Sequence, residues 1–597
     1  MFKTSIFKSE NPQDEARLRE RYHGADSLPL KVSIKAAWHM IKIYWTSKDS
    51  LWSWLLLSLI LGLTGGSIYL ATAINTWYKE FWDTIQNYDL EGFKYQLMIF
   101  AILASIHVVV SVYNSYLRSR LAISWRTWFT GKVMHDWLDN EAYYKMQLED
   151  RKTENPDQRI SEDLSSFVTY TISLLLGTLT DLAMIGTFGV VLWDLSNSVT
   201  LTLWNDAQIT LPDGYMLYLA LGYAIIGTVL TFFLGKPLVR LNFRQQRYEA
   251  DFRFSLIRVR ENSESISLYQ GQEQEEGVLR KRFFSVVKNY IRLINCEKRL
   301  GFFTLGYAQL AVIFPILIAA PMYFAKIITM GSIMQISSAF GRVQDSLSTL
   351  ISNFSAWASF KAVVDRLALY FDSMDSSANV VCLKAQKSGD SFSLKNLEVQ
   401  TPHGEILCTK LNLSLKPGQS LLIRGPSGCG KSTLIKTIAG LWPYAQGEIY
   451  EIANSECLFL SQRPYLPQGT LREAAAYPHV AEEQGLTEKY FKLLNLEHLI
   501  AHLDEENTWS QILSLGEQQR IAFVRALLIK PEILFLDEAT SALDELLESR
   551  AYDLIKAEIP QCIMISVGHR SSLIKRHDLM LSPHETERTA WILKENI

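Results

Sequence analysis

Residues 425–432 read Gly-Pro-Ser-Gly-Cys-Gly-Lys-Ser, a glycine followed by four residues and then Gly-Lys-Ser, which is the pattern of a phosphate-binding loop. The apolar run 420–424 predicts a buried strand before the loop, and residues 433–439 predict a helix after it. In this setting Gly428 and Gly430 let backbone N–H groups turn toward a phosphate, and the helix N-terminus adds partial positive charge. We expect Lys431 to contact the β- and γ-phosphates of the nucleotide and the Ser432 hydroxyl to bind Mg²⁺. The predicted nucleotide-binding residues are Gly425, Pro426, Ser427, Gly428, Cys429, Gly430, Lys431, Ser432 and Thr433.

A second motif supplies two carboxylates. Residues 533–538 read Ile-Leu-Phe-Leu-Asp-Glu, a hydrophobic strand that ends in acid. Asp537 is placed to contact Mg²⁺, and Glu538 to act as the general base that orients the attacking water. An acidic pair after a strand is often only a helix cap. Its position about a hundred residues after the phosphate loop, as in P-loop folds, favours the catalytic interpretation.

Residues 513–520 read Leu-Ser-Leu-Gly-Glu-Gln-Gln-Arg and resemble the signature motif of the ATP-binding cassette (ABC) family, whose usual form is LSGGQ. Ser514 and Gly516 keep the pattern, whereas Leu515 and Glu517 depart from it. The resemblance implies a helix start that contacts the γ-phosphate of ATP bound by a partner subunit, with Ser514, Gly516 and Glu517 near the nucleotide. A hydroxyl, backbone N–H groups and a helix N-terminus all favour an anion. An ordinary Ser N-cap is the alternative.

Three further positions match ABC motifs. Gln462, in Leu-Ser-Gln-Arg-Pro, resembles the Q-loop that senses nucleotide, which makes it a catalytic and Mg²⁺-binding candidate. Residues 541–544, Ser-Ala-Leu-Asp, resemble the D-loop, with Asp544 near the nucleotide. His569 follows a strand predicted at 563–567 and resembles the switch histidine that contacts the γ-phosphate; a surface histidine is the alternative. The aromatic residue that commonly stacks on adenine is missing, because Thr401 stands at the aligned position.

The composition fits a membrane unit joined to a soluble unit. The 597 residues are 48% hydrophobic and 20% charged, and the net charge of −3 argues against a nucleic-acid partner. Residues 1–50 lack a signal-peptide core, and residues 32–44 predict an amphipathic helix at the cytoplasmic membrane surface, with a soluble surface helix as the alternative. Arg17, Arg19 and Arg21 form a basic cluster before it. The cysteines have no metal-ligand spacing and are expected to be reduced; they are Cys296, Cys382, Cys408, Cys429, Cys457 and Cys562.

Apolar segments approach the length that crosses about 30 Å of hydrocarbon. They run over residues 53–74, 95–116, 167–193, 215–234, 305–324 and 330–354. Basic residues follow the second and fourth segments, whereas residues 194–214 contain no Lys or Arg. These basic residues are Arg118, Arg120, Arg126, Lys132, Lys236, Arg240, Arg244 and Arg247. The charge distribution therefore predicts that the termini and both basic stretches are cytoplasmic. Both stretches are long and show helical periodicity, so we expect helices that continue out of the membrane and turn back through short coupling segments.

The sixth segment is unusually polar. Its polar residues are Gln335, Ser337, Ser338, Arg342, Gln344, Asp345, Ser346, Ser348 and Thr349. A charge at mid-bilayer costs several kcal/mol unless it faces protein or water. The pattern therefore predicts a hydrated cavity lined by Gln335, Ser338, Arg342 and Asp345, with Asp181 of the third segment as a further candidate. Arg342 and Asp345 are placed to pair on one helix face. A cytoplasmic helix, with the true span shifted or absent, is the alternative.

Two further motifs narrow the resemblance. Residues 155–160, Asn-Pro-Asp-Gln-Arg-Ile, and residues 261–269, Glu-Asn-Ser-Glu-Ser-Ile-Ser-Leu-Tyr, resemble motifs of the peroxisomal fatty-acyl ABC subfamily and its bacterial YddA and SbmA/BacA-like relatives. The resemblance implies an all-α transmembrane domain of six helices with the type IV exporter fold, followed by an α/β P-loop nucleotide-binding domain. The implied boundaries are 1–50 for the N-terminal segment, 51–375 for the transmembrane domain and 376–597 for the cassette.

The resemblance also implies partners, cofactors and location. One cassette cannot offer both a phosphate loop and an opposing signature to the same ATP, so a homodimer is expected, with ATP and Mg²⁺ as cofactors. The bacterial inner membrane is the expected location, with the N-terminus and the cassette in the cytoplasm. The predicted function is ATP-driven import of large hydrophilic compounds such as peptides or cobalamin-like solutes, since the sixth segment is polar and the bacterial relatives take up such cargo.

Three alternatives are open. Export of lipids, fatty-acyl compounds or amphipathic drugs would suit the exporter fold. A soluble ABC ATPase with a regulatory or translation role is disfavoured by the apolar segments. A membrane-bound sensor that only reads ATP is disfavoured by the presence of Asp537, Glu538 and His569.

Overall fold

The computed structural model of the chain describes residues 28–148, 155–196, 199–202, 208–378, 380–387, 390–453, 455–480, 485–584 and 589–595. These residues form two compact units that divide between Ala378 and Asn379. In its described residues the first unit is mainly helical, and the second mixes strands with helices. The basic cluster predicted at Arg17, Arg19 and Arg21 lies outside the described residues.

The first unit is a succession of helices, several of them much longer than a membrane span. They are α1 (Leu30–Trp45), α2 (Leu51–Gln86), α3 (Leu90–Leu138), α4 (Ala142–Leu148), α5 (Leu164–Asp194), α6 (Tyr215–Glu261), α7 (Ser263–Leu268), α8 (Gln272–Phe324), α9 (Met330–Ser352) and α10 (Phe354–Ala378). A π-helical turn, Arg159–Asp163, leads into α5. The predicted helical extensions are confirmed, because α3, α6 and α8 continue well past their apolar segments and short α4 and α7 lie at the turns.

A two-stranded antiparallel sheet lies between α5 and α6, within the stretch 194–214 that contains no Lys or Arg. Strand β1 (Val199–Thr202) pairs antiparallel with β2 (Gln208–Leu211), and Val199 stands opposite Leu211. The alternation of apolar residues and threonine in these two stretches is the period-two pattern of strands. Four residues a strand are too few for that pattern to stand out in a sequence scan.

Among the described residues, five helices are long and apolar enough to cross a membrane: α2, α3, α5, α6 and α8, with the turns that precede them. The expectation of six such segments is therefore not met by length and composition. Helix α9 forms over the sixth predicted segment, but it is not among the candidate spans. Its glutamines, serines, arginine and aspartate lower the mean hydropathy of any window through it.

Helix α9 nevertheless lies within the bundle, since it packs against α2, α5, α6 and α8. Its apolar side chains Ile333, Ile336, Phe340 and Val343 are at most 4% exposed and join one hydrophobic cluster with residues of those helices. The side chains that remain exposed on α9 include the charged residues Arg342 and Asp345. The helix therefore packs its apolar face inside the unit and keeps charged residues on the opposite face.

The first turn of α9 is held by α2. The Met330 N–H donates to Gln86 Oε1 at 2.7 Å, and the Gly331 N–H donates to Asp83 Oδ1 at 3.0 Å. These bonds satisfy two of the backbone donors that every helix start leaves open. A Cβ added to Gly331 would lie 2.0 Å from the Lys79 carbonyl oxygen, so only glycine allows the two helices to approach this closely.

A second hydrophobic cluster joins α1, α3, α5 and α10. Tyr44 of α1 stacks on Trp125 of α3 with ring centroids 5.1 Å apart. Beside this cluster the Asp163 carboxylate, 4% exposed, receives two hydrogen bonds from Arg366 of α10, at 2.6 and 2.9 Å. Arg159, from the motif at 155–160, reaches the same carboxylate at 2.8 Å. The start of α5 is thus joined to α10 by two arginines that share one buried carboxylate.

The second unit contains two main sheets. Strands β6 (Ser420–Ile423), β8 (Cys457–Leu460), β11 (Ile533–Asp537), β12 (Ile563–Val567), β13 (Leu579–Pro583) and β14 (Trp591–Glu595) form the larger one, in the order β14-β13-β6-β12-β11-β8. The smaller one has the order β3-β7-β4-β5, with β3 (Gln386–Lys387), β4 (Phe392–Gln400), β5 (Ile406–Leu415) and β7 (Ala445–Glu451). A short pair, β9 (Gly469–Thr470) with β10 (Glu506–Asn507), stands apart from them.

Helices cover the larger sheet and follow its strands. They are α11 (Lys431–Ile438), α12 (Leu471–Ala476), α13 (Leu486–Leu493), α14 (Trp509–Ile512), α15 (Leu515–Ile529) and α16 (Glu545–Glu558). Strands β6, β12 and β11 are adjacent and parallel, so the segments that follow them emerge at one edge of the sheet. In open α/β sheets, ligands bind outside that carboxyl edge.

Candidate active site

The phosphate loop lies between β6 and α11, as the sequence predicts. Gly428 and Gly430 have φ values of +82° and +100°, a backbone region that favours glycine. The Lys431 side chain is buried inside the loop, where its Nζ donates to the main-chain oxygens of Gly425 and Pro426, each at 2.9 Å. A Cβ added to Gly425 would lie 2.8 Å from Cys429 Sγ, so the loop can close this tightly only with glycine there. The loop thus curves around one positive charge.

Two oxygen donors lie side by side where the loop enters α11. The Ser432 hydroxyl donates to Asp537 Oδ1 at 3.3 Å. Burial raises the pKa of Asp537, the Ser432 hydrogen bond opposes that shift, and the neighbouring Glu538 carboxylate adds to it. A hydroxyl and a carboxylate of this kind fit Mg²⁺, which takes hard oxygen donors and completes its shell with phosphates and water. No group of three or more His, Cys, Asp or Glu side chains in the described part of the chain is arranged to hold a metal.

Glu538 and His569 face each other across the ends of β11 and β12. Their Oε1 and Nε2 atoms are 3.7 Å apart, with a third of the Glu538 side chain and half of the His569 side chain exposed. Glu538 has a φ of +51°, and its N–H donates to the Val567 oxygen at 3.1 Å. A non-glycine residue in this region is held there at some energetic cost, as is common at functional sites. The strained backbone presents the carboxylate to solvent beside the histidine.

The signature segment starts α15 with a capping box. The Ser514 hydroxyl and N–H both donate to Glu517 Oε2, at 2.7 and 2.9 Å, and the Glu517 N–H donates to Ser514 Oγ at 3.4 Å. His498 Nε2 is 2.8 Å from the other carboxylate oxygen. Burial raises the pKa of Glu517, but its hydrogen bonds to Ser514 and the pairing with His498 outweigh burial and lower the pKa. The departure of Glu517 from the usual motif thus completes the cap.

The structure groups the predicted site residues into two sets. Lys431, Ser432, Asp537, Glu538 and His569 lie around the loop at the edge of the larger sheet. The second set comprises Ser514, Gly516 and Glu517 of the signature and Asp544 of the D-loop. Within the described chain, these residues share no hydrogen bond or ion pair with the phosphate loop at 425–432. Asp544 caps α16 by accepting the Leu547 N–H at 2.7 Å. The side chain of Gln462 is exposed, while its main-chain oxygen faces α15.

Sequence reasoning missed the polar side chains that connect these segments. Gln519 of α15 is 0% exposed and bonds to the Q-loop and to the D-loop. Arg570, next to His569, donates to the main-chain oxygens of Ser541 and Leu543. Glu548 of α16 is 1% exposed and accepts hydrogen bonds from Thr540 and Ser572 as well as from Arg570; its contacts are at 2.8, 2.6 and 3.3 Å. Both Gln519 and Glu548 fall on the three- and four-residue stripe that otherwise holds apolar residues, which is the signal that identifies them.

The turn that aligns with the usual adenine-stacking position contains no Phe, Tyr or Trp, as the sequence shows. Thr401 lies between β4 and β5, and its hydroxyl accepts the Glu405 N–H at 3.1 Å. The side chain of Leu407 lies against the phosphate loop instead, since a Cβ added to Gly430 would be 3.2 Å from Leu407 Cβ. The structure therefore places aliphatic surface beside the loop.

The polar residues of the first unit are split between buried and exposed positions. Gln335 is 7% exposed, and its main-chain oxygen accepts a hydrogen bond from Asn75 Nδ2 at 3.0 Å. Ser338 and Asp181 are half-buried, and Arg342 and Asp345 are exposed. Among the described residues no salt bridge joins Arg342 and Asp345, but the two side chains interact electrostatically across one turn of the helix, so their pairing stays a prediction. Both charged groups remain available on the outer face of α9.

Comparison with known proteins gives a consistent result for both units. Residues 40–324 match the family profile described as ABC transporter transmembrane region 2, and residues 408–541 match the profile described as ABC transporter. An uncharacterised ABC transporter ATP-binding protein of Haemophilus influenzae is 37% identical over 549 residues, which cover 92% of each chain. The inner membrane ABC transporter ATP-binding protein YddA of Escherichia coli is 31% identical over 539 residues, 89% of this chain and 94% of YddA. The human lysosomal cobalamin transporter ABCD4 is 28% identical over 581 residues, 90% of this chain and 92% of ABCD4.

Proposed function

The chain belongs to the ABC transporter family, a multi-pass membrane protein with an ATPase cassette, and we propose that it works as a homodimer that imports large hydrophilic compounds across the bacterial inner membrane. ATP hydrolysis by the cassette is coupled to transport in this family.

The two sets of site residues support the dimer. Lys431, Ser432, Asp537, Glu538 and His569 form one half of an ATP site, whereas Ser514 and Gly516 stand apart from it within one chain. A second copy related by a two-fold axis would bring its signature to the phosphate loop of the first copy. By the same symmetry, the signature of the first copy would reach the phosphate loop of the second. Each ATP would then be held between two chains, and both sites would be alike.

The residues of one half-site divide the work of hydrolysis. Lys431 would bind the phosphates, Glu538 would orient the attacking water and take its proton, and His569 would contact the γ-phosphate. Ser432 and Asp537, with Gln462 as a third candidate, would hold Mg²⁺, which neutralises phosphate charge when bound. Pro426, Ser427, Cys429 and Thr433 complete the loop around the nucleotide, with Glu517 and Asp544 beside it from the partner.

The long helices support a type IV exporter arrangement of six spans. Five helices qualify by composition, and α9, which packs against four of them, would be the sixth. Helices α3, α6 and α8 extend far beyond their apolar segments, as cytoplasmic extensions would. The exposed apolar side chains of α1, Leu30, Ile34 and Trp38, suit a helix at the cytoplasmic membrane surface. The proposed domain bounds are 1–50, 51–375 and 376–597, whose last boundary precedes the division after Ala378 by one helical turn, with the N-terminus and cassette cytoplasmic.

The polar face of α9 is the observation that carries the cargo proposal. Arg342 and Asp345 are exposed on a helix otherwise packed among apolar helices, and charges at membrane depth are stable only against water or protein. Half-buried Ser338 continues this polar surface, half-buried Asp181 of α5 adds a carboxylate from a neighbouring helix, and Gln335 lies buried on the same helix as Ser338. A water-filled chamber between two copies would satisfy these groups and receive a hydrophilic solute. ABCD4, named as a cobalamin transporter, supports a cargo of the cobalamin class.

Vesicle transport tests the proposal directly. The full chain would be reconstituted into lipid vesicles with its cassettes on the outside. The vesicles would be preloaded with labelled cyanocobalamin or a hydrophilic peptide, and Mg-ATP would be added to the outer medium. Import into a cell corresponds here to ATP-dependent release from the lumen, and Glu538→Gln should abolish that release. Uptake from the outside medium into the lumen would show export instead, and ATP hydrolysis with no movement of either probe would reject this cargo class.

A further inference from the structure

We propose that Gln519 is a positioning residue that couples the ATP site of its own chain to the signature and D-loop segments offered to a partner's ATP. The inference rests on the proposed homodimer, because only there do the two sets of residues act on different nucleotides. Gln519 itself touches neither set of phosphate-binding groups. Its action would pass through the segments to which its amide is bonded.

The Gln519 amide connects three segments that are far apart in the chain. Its Nε2 donates to the Gln462 main-chain oxygen at 2.8 Å and to Ser541 Oγ at 3.0 Å. Its Oε1 accepts the Ala542 N–H at 3.0 Å. Both amide hydrogens and the oxygen are therefore used, and the side chain is 0% exposed. A buried amide with this many fixed partners leaves the three segments little freedom to move independently.

A second contact shows that the signature helix and the D-loop fit closely. A Cβ added to Gly516 would lie 3.1 Å from the Ala542 main-chain oxygen, which is tighter than side chains normally allow. Gly516 and Gln519 lie three residues apart on α15, so one face of the helix meets the D-loop twice. Displacement of the D-loop would therefore also move the segment that contains Ser514.

The other side of the D-loop is held by the switch segment. Arg570 donates to the Leu543 oxygen at 2.7 Å and to the Ser541 oxygen at 3.0 Å. Since His569 is the adjacent residue, its position is tied to the D-loop, and the D-loop is tied through Gln519 to α15 and the Q-loop. A change at Gln462 or His569 on nucleotide binding is thereby passed to Ser514, which we expect to face the other ATP.

Steady-state hydrolysis by the full chain in lipid nanodiscs tests this role. Gln519→Met keeps the volume and removes all three hydrogen bonds. We expect kcat to fall about ten- to a hundredfold, as for misplaced groups remote from the chemistry, while ATP affinity changes less than threefold because residues 425–432 are untouched. We also expect the dependence of rate on ATP concentration to lose any cooperativity present in the wild type.

Neighbouring residues provide matched controls. Gln511 of α14 is an exposed glutamine that precedes the signature, so Gln511→Met should change kcat less than threefold. Phe523→Leu, at a fully buried apolar position of α15, reports the effect of loosening the core alone. Gln519→Glu keeps the shape and the acceptor for Ala542 but removes both donors, and it should reproduce the loss of kcat with nucleotide affinity retained.

The outcomes separate this inference from the dimer on which it rests. If chains with Glu538→Gln fail to dimerise when they bind ATP, the proposal of a homodimer is wrong, whatever the result for Gln519. If they do dimerise, and if Gln519→Met or Gln519→Glu chains that bind ATP hydrolyse it at the wild-type rate, the coupling role of Gln519 is wrong. Equal losses in Phe523→Leu and Gln519→Met would also overturn it, because they would reduce the effect to core packing.

Discussion

Helices α15 and α9 each carry a glutamine on a packed face, but the two side chains differ in how far their hydrogen-bonding groups are satisfied. In α15 the Gln519 amide uses its donors and its acceptor within the cassette. In α9 the buried Gln335 Oε1 finds no hydrogen-bond partner among the described residues, and Arg342 and Asp345 are exposed nearby. The Gln519 side chain is thus satisfied within one chain, whereas α9 presents an amide oxygen that is unpartnered among the described residues, together with exposed charged groups. We infer that the first organises internal motion and the second faces cargo or a second copy.

The largest effect is expected at Glu538 of the cassette. Glu538→Gln should lower kcat by at least about a hundredfold, since a positioned general base contributes on the order of 10²–10⁴. ATP binding should persist, because Lys431 and Ser432 are unchanged, and the ATP-bound chains should accumulate as dimers in light scattering. Glu545→Gln, the same change at an exposed position of α16, is the matched control. Turnover at the wild-type rate would remove Glu538 from its role.

The next effect concerns the buried carboxylate of Glu548. Glu548→Ala leaves Thr540 and Ser572 without this acceptor and takes one partner from Arg570, which is partly exposed and keeps two main-chain acceptors, so we expect a cost of about 2–3 kcal/mol. We expect the urea concentration at which the full chain loses nucleotide binding to fall accordingly. Glu545→Ala, on the exposed side of the same helix, should cost about 0.5 kcal/mol or less. Equal effects at the two positions would show that the buried network contributes nothing specific.

A third effect is the acid sensitivity of the cassette at His577. This imidazole is 3% exposed, hydrogen-bonded to Ser566 Oγ and to the Leu573 oxygen, and burial lowers its pKa to about 4. The folded pKa is below the unfolded value of about 6.5, so the unfolded chain binds the extra proton first and stability falls from pH 6.5 toward pH 4. At pH 5 the loss should be about 2 kcal/mol. His577→Asn should flatten this dependence; an unchanged pH profile would contradict the assignment.

The smallest effect is expected from one substitution made in both helices. Gln335→Met should change the stability of the full chain by less than about 1 kcal/mol, because no side-chain hydrogen bond is lost at the unpartnered Oε1. Gln519→Met should cost about 1–3 kcal/mol, because it leaves Ala542 N–H and the Gln462 oxygen unpaired. Thermal unfolding followed by nucleotide binding and by intrinsic fluorescence measures both. A larger cost at Gln335 would mean that α9 is internally satisfied and would break the comparison.

Sequence motifs predicted which residues the cassette brings together, because the chemistry fixes residue type and spacing together, and the roles of those residues stay predictions. Lys431, Ser432, Asp537, Glu538 and His569 lie where the phosphate loop, the acidic strand end and the switch motif placed them. Gln519 and Glu548 were missed, although each interrupts the apolar stripe of its helix, because motif reading treats a polar residue as surface. Their partners come from distant loops that only the folded sheet brings together.

The membrane unit was predictable at a coarser level. Helix positions followed from apolar segments, since hydrocarbon thickness fixes their length. The place of α9 did not follow from hydropathy, because packing against α2, α5, α6 and α8 compensates for its polar residues. The three-residue spacing of Arg342 and Asp345 brings the two side chains within electrostatic reach without a salt bridge between them, since spacing allows a close pairing without requiring it.

Complementation between two inactive variants tests the central claim most directly. Lys431→Ala disables a chain's own phosphate loop, and Ser514→Arg disables the signature that the chain offers to its partner. In a mixed dimer of these two chains, one composite site would combine the intact Lys431 of one chain with the intact Ser514 of the other. Each variant alone should be inactive. ATP hydrolysis should therefore reappear in mixed dimers, which two different tags allow to be isolated. If mixed dimers stay as inactive as the separate variants, or if an isolated monomer of the wild-type chain hydrolyses ATP at the full rate, the ATP site is not shared between two chains.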